Sequence, residues 1–302
     1  MKINPWSSAR SIAAIALLAV VISLIVSPVR SGVQAGDAAA AQRPNQTVIF
    51  AIGGESGFYH MDAVALVNGK QFVSPFSDEQ KDKQKTFAEK YFAASRQYRL
   101  IFGGTGAGAV IVSKWAEGCN SVHADVNVTT SARLGGKVRA LATNSDAIGK
   151  RASTRRAATD TERAAVMNLV KTIYQQHRTP ATLIPSIKVT NLTATDLNGD
   201  GKYELIGSFT LAAKKKFERD LFLIVKSDST SMRADLAEFQ GYQPPPEGFL
   251  HSIDYVEQLD VDGDGVGEVF AIQGGFDAYA YLIFKKVGGR WRRVYDQMGD
   301  AC

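Results

Sequence analysis

The chain has 302 residues, 22% of them charged and 45% hydrophobic, which suits one large or two modest folded domains and excludes wholesale disorder. The formal charge of +5 overstates its basicity: Lys2, Arg10 and Arg30 lie in an acid-free leader, and the 32 bases left of 35 face 30 acids. A nucleic-acid binder concentrates positive charge on one face; here the nearest candidate is the short run 150–156, so no nucleic-acid partner is expected.

The leader reads as a secretory signal over 1–35. Lys2 and Arg10 give a positive start, 12–26 is an uninterrupted apolar run, Pro28 breaks it, and Val33-Gln34-Ala35 offers a small-residue cleavage pattern. The alternative is an uncleaved membrane anchor over 11–29, about long enough to span a bilayer. Either reading exports the body to the periplasm, the cell surface or the medium. Residues 36–46, small and polar, suit a flexible tether. An oxidising compartment favours joining the only two cysteines, Cys119 and Cys302, as a disulfide.

From Thr47 onward the pattern is short strands between glycine turns, predicting a mainly β protein with two helices. Segments 47–52, 63–67, 71–73, 98–102, 109–115, 123–129 and 137–142 read as strands; Asn68-Gly69 and GGTGAG (103–108) read as hairpin turns. Ser77 with Gln80 predicts a capped first helix carrying Phe87, Tyr91 and Phe92 on its apolar side. Thr159 with Glu162 predicts a second, in which Ala165, Val166, Leu169, Val170 and Ile173 recur at helical spacing and Thr179-Pro180 ends the run. A boundary near 182 then divides an N-terminal β-rich domain (47–181) from a C-terminal one (182–302).

The C-terminal domain contains an internal repeat. Strand-like 187–195, 205–211 and 221–225, with a weaker segment around Leu236, return as 252–259, 269–272, 279–284 and 291–295. Each unit predicts a four-stranded antiparallel meander of about the size of a propeller blade. Between the first two strands of each unit lies an acidic loop, DLNGDGKYE (196–204) or DVDGDGVGE (260–268).

Calcium takes six to eight oxygens, and a short loop supplies them when carboxylates alternate and glycine permits a tight bend. The first loop offers Asp196, Asn198 and Asp200, the second Asp260, Asp262 and Asp264. A backbone carbonyl is available from Lys202 or Val266, and Glu204 or Glu268 closes the site. The second loop, with four carboxylates against three and an amide, is expected to bind the tighter. Neither is an EF-hand, because the twelfth position holds Gly207 or Ala271 and the flanks are strands.

These loops resemble the calcium loops of FG-GAP and VCBS repeats in integrin-like β-propellers, D-x-[DN]-x-D-G-x-x-[DE] between two strands. The resemblance covers roughly 187–297. It implies Ca²⁺ on the side chains at positions one, three, five and nine and on the seventh carbonyl, within a partial or small propeller. The mature chain as a whole is also similar to a group of exported bacterial proteins, a likeness that implies no activity.

No catalytic constellation stands out. GGTGAG lacks the Lys-Ser/Thr of a phosphate loop, and Ser56 lacks the spacing of a nucleophile elbow. His60, His123, His177 and His251 are scattered singly, which predicts surface or capping roles rather than metal ligation. Tyr279, Tyr281, Trp291 and Tyr295 suit either cross-strand packing or a carbohydrate or peptide platform. The leading expectation is a non-catalytic binding or scaffolding protein with structural calcium and a protein or carbohydrate partner. The alternative is a secreted hydrolase assembled from dispersed residues of the N-terminal half.

Overall fold

The computed structural model describes residues 46–55, 57–76, 81–151, 154–213, 217–227, 232–242, 252–274 and 278–301. The expected leader, the Ser77–Gln80 cap, Ser56, His251 and Cys302 lie outside these residues. Among the described residues no helix is long and apolar enough to cross a membrane.

The N-terminal strands are β1 (Thr47–Glu55), β2 (Phe58–Asn68), β3 (Gln71–Val73), β4 (Gln97–Phe102), β5 (Thr105–Glu117), β6 (Val122–Thr130) and β7 (Ala140–Thr143). They do not build further four-stranded meanders. The sheet runs β1-β7-β4-β5-β6-β2-β3, and β1 also pairs with β2, closing six strands into an antiparallel barrel. Burial on both faces explains why β1 is continuously apolar from Val48 to Ile52. Val48, Phe50 and Ile52 point into the barrel, while Ile49 and Ala51 lie in a second core outside it. Helix α1 (Lys81–Tyr91) adds Phe87, Ala88 and Tyr91 to the barrel core, and Phe92 follows directly behind.

The C-terminal repeat forms two antiparallel sheets. Strands β9 (Lys188–Thr195), β10 (Glu204–Ala213), β11 (Phe217–Ser227) and β12 (Met232–Tyr242) make the first, which β8 (Arg156–Ala157) extends beside β9. Strands β13 (Ser252–Leu259), β14 (Glu268–Gly274), β15 (Ala278–Val287) and β16 (Arg290–Ala301) make the second. Both follow the expected meander order.

The β13–β16 sheet is a middle layer. Phe270, Ile272, Tyr281 and Ile283 pack on Ile49, Val64, Ile101 and Leu141 of the barrel wall. On its other face Val269, Ala271, Leu282 and Phe284 meet Ile206, Phe222 and Ile224 of the β9–β12 sheet. The Phe222 and Phe284 rings stack there at 5.3 Å. Tyr281 and Trp291 are thus buried core residues and offer no exposed aromatic platform.

Helix α2 (Asp160–Gln176) has the expected capping box, in which Thr159 accepts from the Glu162 N–H and Glu162 accepts from the Thr159 N–H. It packs Val166, Val170, Ile173 and Tyr174 against Leu205, Phe209, Leu221 and Leu223. The helix and β8 therefore join the sheet that follows them, although the sequence boundary near 182 groups them with the barrel. The cause is the apolar outer face of the β9–β12 sheet, which needs a cover.

Candidate metal centre

The two acidic loops adopt one conformation. In the first, Asp196 accepts the Gly199 N–H at 2.7 Å and the Gly201 N–H at 2.8 Å, and Asp200 accepts from Lys202 at 2.8 Å. In the second, Asp260 accepts from Gly263 at 2.8 Å and Gly265 at 3.2 Å, and Asp264 accepts from Val266 at 2.8 Å. The closing acids match too: Glu204 accepts the Leu197 N–H at 3.0 Å, and Glu268 the Val261 N–H at 2.8 Å. Asn198 and Asp262 each accept from the residue two ahead. The required bends fall on Gly199, Gly201, Gly263 and Gly265, whose φ values are 73°, 80°, 72° and 95°. The loops lie side by side, joined by a Gly267 N–H to Leu197 carbonyl bond of 2.7 Å.

The second loop has the geometry of a cation cleft. Asp260, Asp262 and Glu268 bring one oxygen each within 4.8 Å of one another. Opposite ligands on calcium stand about 5 Å apart, twice its 2.3–2.6 Å bond. The trio therefore fits around one ion, and all its donors are hard oxygens. In the first loop Asn198 turns its Nδ2 toward Asp200, donating at 3.2 Å; the amide has to flip to present oxygen to a cation. Lys202 and Val266 occupy the seventh positions, where their N–H groups already donate to Asp200 and Asp264.

The structure adds cations that the loop pattern alone does not show. The Lys285 ammonium lies 2.5 Å from Asp262, 3.0 Å from Glu268 and 3.8 Å from Asp264, and Lys70 lies 3.3 Å from Asp262. Lys285 follows Phe284, the ladder partner of Val269, and so stands across from Glu268. Lys226 follows Val225, the partner of Leu205, and stands across from Glu204 in the same way. Aligning the two repeats (LIVKS with LIFKK) is the sequence signal that points to both. Arg151 donates to the Gly265 carbonyl and pairs with Asp260 at 3.5 Å. Its segment is held by Arg99, which donates to the carbonyls of Ser145, Ile148 and Gly149. Loops and segment enclose a groove of about 790 Å³.

The acids respond to this setting in two ways. Burial raises the Glu204 and Glu268 carboxyls above their usual range, despite a backbone N–H on each. Burial also works against Asp262, but hydrogen bonds from Lys285 and Lys70 outweigh it and hold that carboxyl low. Burial likewise opposes the Lys285 ammonium, and its contacts with Asp262 and Glu268 win, raising it. The exposed Asp200 is lowered chiefly by the Lys202 N–H. Each closing glutamate is costly to ionise in its place, and at Glu268 the neighbouring Lys285 ammonium offsets only part of that cost.

Arg155 and Arg156 of the same run are also engaged. Arg155 is buried between the Phe102 and Tyr255 rings, bonded to Glu257 at 2.9 Å. Glu257 further accepts the Gly103 and Gln258 N–H groups, both at 2.8 Å. Arg156 pairs with Glu162 at 2.7 Å. This run ties barrel, loops and helix together.

Fold and site together define an antiparallel β protein in which a closed barrel supports two stacked sheets and a pair of equivalent acidic hairpins. Comparison with protein families, curated proteins and solved structures yields no match.

Proposed function

We propose that this is an exported, non-catalytic binding or scaffolding protein whose two hairpin loops hold calcium in a structural role. The observation that carries the reading is the convergence of Asp260, Asp262 and Glu268 oxygens within 4.8 Å at a place where an ammonium already sits. A cleft that gathers a lysine between buried acids is electrostatically suited to a divalent ion, which brings twice the charge to the same oxygens. In the first loop Asp196, Asn198, Asp200 and Glu204 would hold the ion with the Lys202 carbonyl; in the second Asp260, Asp262, Asp264 and Glu268 with the Val266 carbonyl. Calcium supplies rigidity there and no chemistry.

The two meanders are read as a pair of propeller-type blades, with the barrel flanking the second in place of further blades. The disulfide between Cys119 and Cys302 remains part of the proposal, since Cys302 lies outside the described residues. Export by the leader, and the protein or carbohydrate partner, belong to the same reading. Thermal melting with and without millimolar calcium tests it. Asp260→Ala and Asp196→Ala should each remove part of the calcium-dependent gain in Tm, and an unchanged gain in both variants would refute calcium in these loops.

The hydrolase reading has one observation in its favour. A groove of about 540 Å³ on the barrel wall gathers Asp62, Asp125, His60 and His123. Turnover of ester or glycoside substrates that vanished in Asp62→Asn would favour it.

A further inference from the structure

Those four residues of the groove belong to two neighbouring strands. Strands β2 and β6 are antiparallel, with His60 opposite Asp125 and Asp62 opposite His123. Between these rungs Met61 and Ala124 enter the barrel core. Alternation therefore places all four polar side chains on the outer wall, where directly opposed Cβ atoms stand about 5 Å apart. Four isolated polar residues in the sequence become a two-by-two checkerboard of imidazoles and carboxylates.

Three details separate this cluster from incidental surface charge. Asp62 is only 7% exposed, and Tyr281, itself 2% exposed, donates its phenol to the Asp62 Oδ2 at 2.7 Å. A buried carboxylate fixed by an outer hydrogen bond is the arrangement that metal-ligating carboxylates use. The His60 Nε2 lies 3.8 Å from the same Oδ2, too far for a hydrogen bond. Two ligands on tetrahedral zinc at about 2.0–2.1 Å stand roughly 3.3 Å apart, so a small closure brings this pair into range. The His60 ring also rests over Gly53, where an added Cβ would come within 3.0 Å of its Nε2. Glycine leaves the imidazole this position.

We propose that His60, Asp62 and His123 form a site for a zinc-class divalent metal on the outer barrel wall. Asp125, paired with Lys114 at 3.4 Å, stays outside the ligand set, and the fourth position opens to the groove. Imidazole nitrogens select borderline metals such as Zn²⁺ and Co²⁺ over calcium. The site is therefore chemically distinct from the acidic hairpins and does not depend on the calcium proposal. Among the described residues only Asp260, Asp262 and Glu268 already have ligand atoms within 4.8 Å of one another. His123 accordingly has to turn toward Asp62 when metal binds.

The test is a Co²⁺ titration of the full chain, stripped with chelator and kept in millimolar Ca²⁺ so that the hairpins are occupied. The expected result is one Co²⁺ per chain with the intense visible absorption of a tetrahedral site, displaced by Zn²⁺. His60→Ala and His123→Ala should each weaken binding at least tenfold while metal-free melting stays unchanged, since both side chains are partly exposed. Tyr281→Phe, acting through Asp62, should weaken it about tenfold. Asp260→Ala should leave it intact. Absence of saturable Co²⁺ binding, or binding that survives in both histidine variants, would overturn the proposal.

Discussion

Replacing Lys285 by Met probes the second acidic loop most sharply. The ammonium lies 2.5 Å from Asp262 and 3.0 Å from Glu268, whose side chains are 3% and 1% exposed. At an effective dielectric of about 20, each contact is worth roughly 5–7 kcal/mol of Coulomb energy before desolvation, and most of that is cancelled by burying the charges. Removing one partner of a buried pair costs about 3–5 kcal/mol. Lys285 is the more exposed member at 16%, so we take the lower end, about 3 kcal/mol. For a chain of this size that is a fall in Tm of about 6–12 °C in chelator. Calcium should reverse it, because at a hundred times its Kd an ion contributes about 2.7 kcal/mol and in the variant it has no ammonium to eject. Differential scanning calorimetry in chelator and in calcium therefore should show a larger calcium shift for Lys285→Met than for the wild type. Lys285 also opposes the tighter binding expected of the second loop from its carboxylate count, and the variant should raise that loop's affinity. An equal deficit with and without calcium would refute the reasoning, as would no deficit at all.

Three further outcomes are expected. Arg155→Met strands Glu257 among buried groups and should cost about 3–5 kcal/mol in urea unfolding, whereas adding Glu257→Gln should recover part of the loss, a coupling that a double-mutant cycle reads directly. Glu162 is pulled to about 2, first by the Arg156 guanidinium, which outweighs an opposing burial cost, and then by the Thr159 N–H and hydroxyl. A depressed folded pKa means its stabilisation is present above the usual carboxylate value of 4.5 and is lost as pH falls from there toward 2. Glu162→Gln should thus cost about 1 kcal/mol near neutrality, discounted for its partial exposure, and nothing at the acid end. A Cys119–Cys302 bond would make the intact mass rise by two hydrogens on reduction, with a loss of stability of up to roughly 5 kcal/mol by chain entropy.

Much of this architecture follows from local pattern. Thr159 and Glu162 mark the start of α2, Asn68-Gly69 the β2–β3 turn, and the two Asp-rich loops the matching hairpins of the repeat. Long-range pairing does not follow from it. Nothing local in 140–143 says that β7 slots between β1 and β4, or that β1 meets β2 to close a barrel. Those contacts are set by which apolar faces remain uncovered once the sheets pack. The same reasoning moves α2 onto the β9–β12 sheet. At the sites, acids at alternate positions were legible, whereas Lys285, Arg151 and Lys70 arrive from other strands and loops. His60 and His123 read as isolated because strand register, which sequence spacing does not encode, is what makes them neighbours.

Equilibrium dialysis against radioactive calcium, on the chain stripped of metal, tests the central claim most directly. Two calcium ions per chain, with one lost in Asp196→Ala and the other in Asp260→Ala, is the result this account predicts. No retained calcium at millimolar concentration, or retention indifferent to both substitutions, would contradict it.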